Sequence, residues 1–235
     1  MARTSRRAWT RHCLLGVLLA GACVPEQGGP SQVSLMQLSM GVGDSAVYLV
    51  QTRCSSGIWG PEVVSLDSAV VAFHVTEVGD IEYLVTGLVQ SGEGLAPIFY
   101  SISPAGKVVD VFTEAPASTW FDLARAGLMA PTIPLSPKPV SKGESWSTTY
   151  YRGQGVYTCE GTGSLEGRTG YLVSLRASTV FEEEDASVGV TAEGKVVVSP
   201  ERGWVEAGKG TVVLSYTGEP GSFSQTISYR MVSRR

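Results

Sequence analysis

Asparagine is absent from this chain of 235 residues, histidine occurs twice and cysteine four times. Each scarcity excludes something. Without asparagine no Asn-linked glycan can be attached, and Gly or Asp must fill the positive-φ turn positions that Asn would otherwise share. Two histidines are too few for a histidine-based zinc site. Long apolar runs are missing too, since a membrane-spanning helix needs about 20 residues and the best stretch, Cys13 to Ala20, falls far short. Basic residues are outnumbered, 18 Lys and Arg against 22 Asp and Glu, which argues against a nucleic-acid partner. No Gly-rich loop follows a strand and opens a helix, so a phosphate cradle is not expected. What the chain does have is 28 Gly and 12 Pro in a composition 43% hydrophobic and 17% charged. That is a globular composition with heavy punctuation, suited to short strands and tight turns.

The N-terminus carries the strongest local signal. Arg3, Arg6, Arg7 and Arg11 make a basic region, and Cys13 to Ala20 a short apolar one, the pattern of a cleavable signal peptide. It ends in Leu19-Ala20-Gly21-Ala22-Cys23, which resembles the lipobox of bacterial lipoproteins. The resemblance implies a signal peptide over 1–22, cleavage before Cys23, and lipidation of Cys23. Ala20 stands where that family prefers Leu, with Leu19 one place further out; ordinary signal-peptidase cleavage near Ala22 is the alternative. Ser5 to Arg11 resembles a twin-arginine export motif, the alternative being the Arg-rich start of a general secretory signal. Loss of 1–22 leaves 14 basic residues against 22 acids, a net charge of about −8. The mature domain then has no electrostatic hold on anionic lipid, and the membrane contact is the acyl anchor. Val24 is not the Asp that marks inner-membrane retention in such lipoproteins, so the outer membrane is the expected location. Residues 23–32, rich in Pro, Gly and polar side chains, read as a flexible tether.

From residue 33 onward the pattern is that of strands. Candidates are Ala46 to Thr52, Val63 to Val78, Ile81 to Val89, Pro97 to Ser103 and Lys107 to Phe112. After a Pro-rich connector from Met129 to Pro139 come Glu144 to Tyr151, Gly155 to Ser164 and Tyr171 to Phe181. Val188 to Ala192 turns through Glu193-Gly194 into Lys195 to Val198, and Trp204 to Ala207, Thr211 to Tyr216 and Phe223 to Val232 follow. One short helix is expected, N-capped by Thr119, running Trp120 to Arg125 and stopped by Gly127. Gly43-Asp44-Ser45 and Gly143-Glu144-Ser145 open strands alike, and Gly-Lys-Val-Val recurs at 106–109 and 194–197. The expectation is an all-β fold: an antiparallel meander forming a curved sheet or open half-barrel. It is a single domain over 33–235, built from pseudo-repeated halves, 33–128 and 138–235. This architecture is similar to that of outer-membrane lipoprotein carriers and receptors, a likeness that implies an apolar interior able to hold acyl chains.

Residues for chemistry are sparse. Gly43-Asp44-Ser45 resembles the opening of the Gly-Asp-Ser lipases, but the required late Asp-x-x-His is missing and His74 lies early. Glu182-Glu183-Glu184-Asp185 could attract Ca²⁺ or be a solvated loop. Trp59, Trp120, Trp146 and Trp204 offer packing or the walls of an apolar cleft. With Cys13 removed and Cys23 acylated, Cys54 and Cys159 remain, one in each half, and an exported pair points to a disulfide between them, two buried thiols being the alternative. No catalytic residue, cofactor or metal is assigned. The expected roles are a lipid-anchored, non-catalytic envelope protein with an envelope-protein partner or an apolar ligand, a carrier of such a ligand in its half-barrel, and, last, an esterase.

Overall fold

The computed structural model describes residues 32–33, 37–56, 63–92, 94–113, 130–150, 153–182, 187–216 and 222–235. The expected signal peptide, Cys23, residues 23–31 of the tether, Trp59, Trp120 and the helix at 119–125 lie outside these residues. The described elements are all strands: β1 (Gln32–Val33), β2 (Ser45–Ser56), β3 (Val63–Val78), β4 (Tyr83–Ser91), β5 (Gly94–Ile102), β6 (Val108–Thr113), β7 (Val140–Ser141), β8 (Ser145–Tyr150), β9 (Gly153–Leu165), β10 (Arg168–Glu182), β11 (Ser187–Val198), β12 (Val205–Tyr216) and β13 (Ser222–Arg234). β1 pairs with β7. The other eleven form one antiparallel sheet in the order β6-β5-β4-β3-β2-β13-β12-β11-β10-β9-β8.

Alternation of side chains makes this sheet one-sided. In β2, Ala46, Tyr48, Val50 and Thr52 are buried, while Val47, Leu49, Gln51 and Arg53 between them are not. β4 and β5 repeat the pattern, burying Val85 and Val89, then Ile98, Tyr100 and Ile102. β2 to β6 step outward in one direction. The chain then crosses to the far edge, and β8 to β13 step back until β13 lies against β2, with Val50 opposite Tyr229.

In a strictly antiparallel order of eleven strands, the two edge strands, β6 and β8, run the same way. They cannot pair as neighbours of an antiparallel ladder, and the sheet stays open. It nevertheless curls until its edges are within side-chain reach: Lys107 Nζ, just before β6, lies 3.4 Å from Thr149 Oγ1 in β8. Arg168 at the start of β10 donates to the carbonyl of Met231 in β13, three strands away in the sheet order.

Val63–Val78 has the bounds expected from its Val-rich run. Glu193-Gly194, read from composition as a turn, is instead the middle of β11. Gly194 is paired on one side with Leu175 and on the other with Gly210, and ladders on both flanks outweigh the local preference of Gly for a bend. The Gly-Lys-Val-Val echo therefore has no structural counterpart, because Gly106 sits in a turn with φ +75° and Gly194 does not. The other echo does have one. Gly43 and Gly143 adopt φ of +92° and +88°. Asp44 and Glu144 each accept the backbone N–H three residues back with a side-chain oxygen, at 2.8 and 2.6 Å. Each turn then pairs with the next long strand the same way, Gly43 N to Val75 O and Gly143 N to Cys159 O.

One end of the curled sheet is closed by the Pro-rich connector. Ala130 to Ser136 are buried without a break, an unusual place for a loop, since its polar backbone must find partners there. It does. Pro131 O accepts from Val205 N, Leu135 N donates to Ala105 O, and Pro134 O accepts the indole N–H of Trp146. Thr132 bridges Trp204 and its hydroxyl donates to Gly106 O. The connector thus ties the β5–β6 turn to β8 and to the start of β12.

Gly106 and Gly143 separate backbone strain from packing. Both have positive φ, but a Cβ at Gly143 meets nothing within 4 Å, whereas one at Gly106 falls 2.3 Å from Ile133 O. Gly143→Ala should cost about 1–2 kcal/mol. Gly106→Ala should cost roughly 1–3 kcal/mol more, because the connector must shift. Equilibrium urea unfolding of the two variants measures both, and equal losses would show that the connector is not seated on Gly106.

Candidate functional site

The inner face of the curled sheet is the candidate site. Towards the closed end it carries large rings, and beyond them small aliphatic and hydroxyl side chains. Tyr48 meets Phe73 edge-on at 5.5 Å between ring centres and Tyr229 at 6.1 Å, and Phe73 meets Tyr100 at 5.6 Å. Edge-to-face contact is the arrangement that ring quadrupoles favour. Glycine makes room for two of these rings: a Cβ at Gly208 would lie 2.3 Å from the ring of Tyr229, and one at Gly87 would lie 2.9 Å from Phe73. Further along the same face come Val50, Thr52, Ala69, Val71, Ala177, Thr179, Val190 and Ala192, all buried. Among the described residues no Asp, Glu, Lys or Arg is buried.

Three phenols supply the polarity of this face. The hydroxyl of Tyr48 donates to Val205 O at 2.6 Å. The hydroxyl of Tyr100 is buried without a hydrogen-bond partner. Burial pushes Tyr48, Tyr100 and Tyr229 above the ordinary tyrosine range, because a phenolate there would lose its hydration, and the nearby Tyr229 raises Tyr48 and Tyr100 further. The ion pair of Glu206 with Arg234, at 3.7 Å, acts on Tyr48 from both signs, and the phenols stay neutral.

The residues singled out in the sequence fall in different places. Trp146 and Trp204 are buried structural anchors, not the walls of an open cleft. Trp146 stacks on Tyr157 at 5.6 Å and donates to Pro134 O, and Trp204 donates to Ser39 O. Asp44 is taken up by its turn and by an ion pair with Arg202 at 3.1 Å. Ser45 lies opposite His74 across β2 and β3, with His74 exposed. Glu182 ends β10, and 183–185 lie outside the described residues. The expected disulfide is corrected: Cys159 is a free, buried thiol. Tracing the register from Cys54 through Gln225, Val212, Ala192 and Ala177 reaches β9 at Gly155. β2 and β9 stand five strands apart in the sheet order. The tyrosine cluster escaped the sequence reading; period-two alternation is its only local trace, and the curl that gathers β2, β5 and β13 is not local.

The outer face has several depressions, of which two lie on opposite wings of the sheet. One, of about 680 Å³ over β9 to β12, is lined by the ion pair Arg176–Glu193 and by Lys195. Beside it Glu160 accepts from Ser174 and faces Lys195, and these two hold its carboxyl below the usual range. The other, of about 370 Å³ over β3 to β6, is apolar, with Leu84, Phe99 and Phe112 exposed.

Alkaline titration tests the phenol environment. Below about pH 10 tyrosines are neutral in the folded and unfolded chain alike. Above it the unfolded chain ionises while Tyr48, Tyr100 and Tyr229 resist, so the stability present below pH 10 is lost as pH rises. With three protons withheld the slope approaches about 4 kcal/mol per pH unit. Phenolate absorbance should therefore rise in two stages, the second coincident with unfolding by circular dichroism. A single non-cooperative stage with the fold intact would contradict the burial of these rings.

The chain matches no family model and no curated protein. Among solved structures it is similar to a chain from one described as "Lipid-protein interactions in lipovitellin", at 12% sequence identity and a TM-score of 0.46. The likeness covers 84% of this chain and 26% of that one, so this chain spans about a quarter of the other's length, and a likeness this loose carries no functional argument.

Proposed function

We propose that this is a non-catalytic envelope lipoprotein, tethered through an acylated Cys23, whose curled sheet shelters an apolar ligand on its inner face. The observation that carries the reading is a buried inner face, uncharged among the described residues, in an eleven-stranded sheet whose edges remain unpaired. Ligand pockets are characteristically apolar with few polar groups, and this face offers hydroxyls alone. One end is stopped by the connector and the large rings, and beyond them the face is lined by small aliphatic and hydroxyl side chains. The anchor rests on Ala20-Gly21-Ala22-Cys23, and the acidic mature charge leaves the acyl chains to hold the membrane. Catalysis has little to work with, since Asp44 is committed to a turn and an ion pair.

Expressed with its own signal, the protein should partition into detergent, and Cys23→Ser should release it or stall its processing. A Cys23→Ser protein that is processed and partitions like the wild type would refute the anchor. Solvent extraction and native mass spectrometry of detergent-free Cys23→Ser protein should find a co-purified lipid. Protein that carries none and takes none up from lipid vesicles would refute the ligand.

A further inference from the structure

Among the described residues the hydroxyl of Tyr100 is the buried side-chain polar atom without a hydrogen-bond partner. A native interior seldom leaves a donor unmade, because the group has lost water and gained nothing. No acceptor among the described residues lies within hydrogen-bond reach of it, although the phenol of Tyr229 is near enough to raise its ionisation. Val85 faces Tyr100 from β4 and Val111 from β6, and the ring of Phe73 lies 5.6 Å away. The neighbouring phenol of Tyr48 has already given its proton to Val205 O.

Resting on the reading of the inner face as a ligand site, we propose that Tyr100 donates to an uncharged acceptor on the ligand, an ester or ketone carbonyl, and so selects neutral lipids over fatty-acid anions and charged headgroups. The aromatic layer holds the hydroxyl in place, with Phe73 on Tyr100 and Tyr48 on Phe73. The sign of the ligand follows from the lining. A carboxylate brought to this depth needs a cation or several donors, and no basic residue is buried here among those described. One phenol does not offset the lost hydration of an ion. A carbonyl asks for one donor, and one is free. The hydroxyl stays protonated at neutral pH because burial pushes its ionisation up, so it serves as donor throughout the physiological range.

The test uses three probes of equal chain length, hexadecane, methyl palmitate and palmitate at pH 8, displacing Nile red from the detergent-free Cys23→Ser protein. That background should bind the ester about 3- to 10-fold more tightly than the alkane, the worth of one net hydrogen bond, and palmitate most weakly. Adding Tyr100→Phe should erase the preference for the ester without lowering the melting temperature, since it removes an unpaired donor. Adding Tyr48→Phe should lower the melting temperature, by stranding Val205 O, and keep the preference. If Tyr100→Phe still prefers the ester, or if palmitate competes best, the assignment of Tyr100 is overturned while the ligand reading stands; a water on the hydroxyl would give the first of these results. If no probe displaces the dye and vesicle lipid is not taken up either, the ligand reading falls and this one with it.

Discussion

A single sheet with one apolar face has to hide that face, and everything else in this molecule follows from the need. Each fully buried Val, Ile or Phe contributes about 1.5–3 kcal/mol relative to exposure, and the inner face carries such residues on strands from both halves of the chain. The ion pairs outside are of a different order. Arg176–Glu193 has both side chains more than half exposed, and pairs of that kind contribute about 0–1 kcal/mol. Curling is therefore driven from within, by the apolar side chains packed on the inner face, and the outer charges follow the shape.

Curling alone would leave an open end, and the Pro-rich connector stops one of them. Proline suits the place. It lacks an N–H, so a buried segment with Pro131 and Pro134 has fewer donors to satisfy, and the carbonyls of both are matched by Val205 and Trp146. At the same end Trp146 is hydrogen-bonded to the connector and Trp204 to Ser39 O. A firm floor beneath a lining of small residues is what links the packing to the proposed ligand site.

Much of the fold was legible in the residues. The Val-rich stretch at 63–78 carried both of its ends, and the Gly-acid-Ser openings at 43–45 and 143–145 announced two copies of one turn. The Pro-rich connector was rightly kept out of the sheet, but nothing local said it would be buried. β11 was misread because Glu193-Gly194 has turn composition, whereas two flanking ladders decide its conformation. The strand order, the pairing of β2 with β13 and the gathering of Tyr48, Tyr100 and Tyr229 depend on contacts as far apart as Ala46 and Arg234, and alternation along one strand says only which way a side chain points. The expected link between Cys54 and Cys159 failed for the same reason: one cysteine in each half is a statement about sequence, and in the fold Cys159 is a free, buried thiol.

The place of β13 bears on how the molecule comes into being. This last strand, Ser222–Arg234, fills the gap between β2 and β12 at the middle of the sheet. As the chain emerges from the ribosome, β2 waits with one bare flank until β13 has been made. During that wait β2 and β12 are open edges, the kind that recruit strands from other molecules. Loss of Ser222–Arg234 would therefore remove the keystone of the sheet, not its fringe.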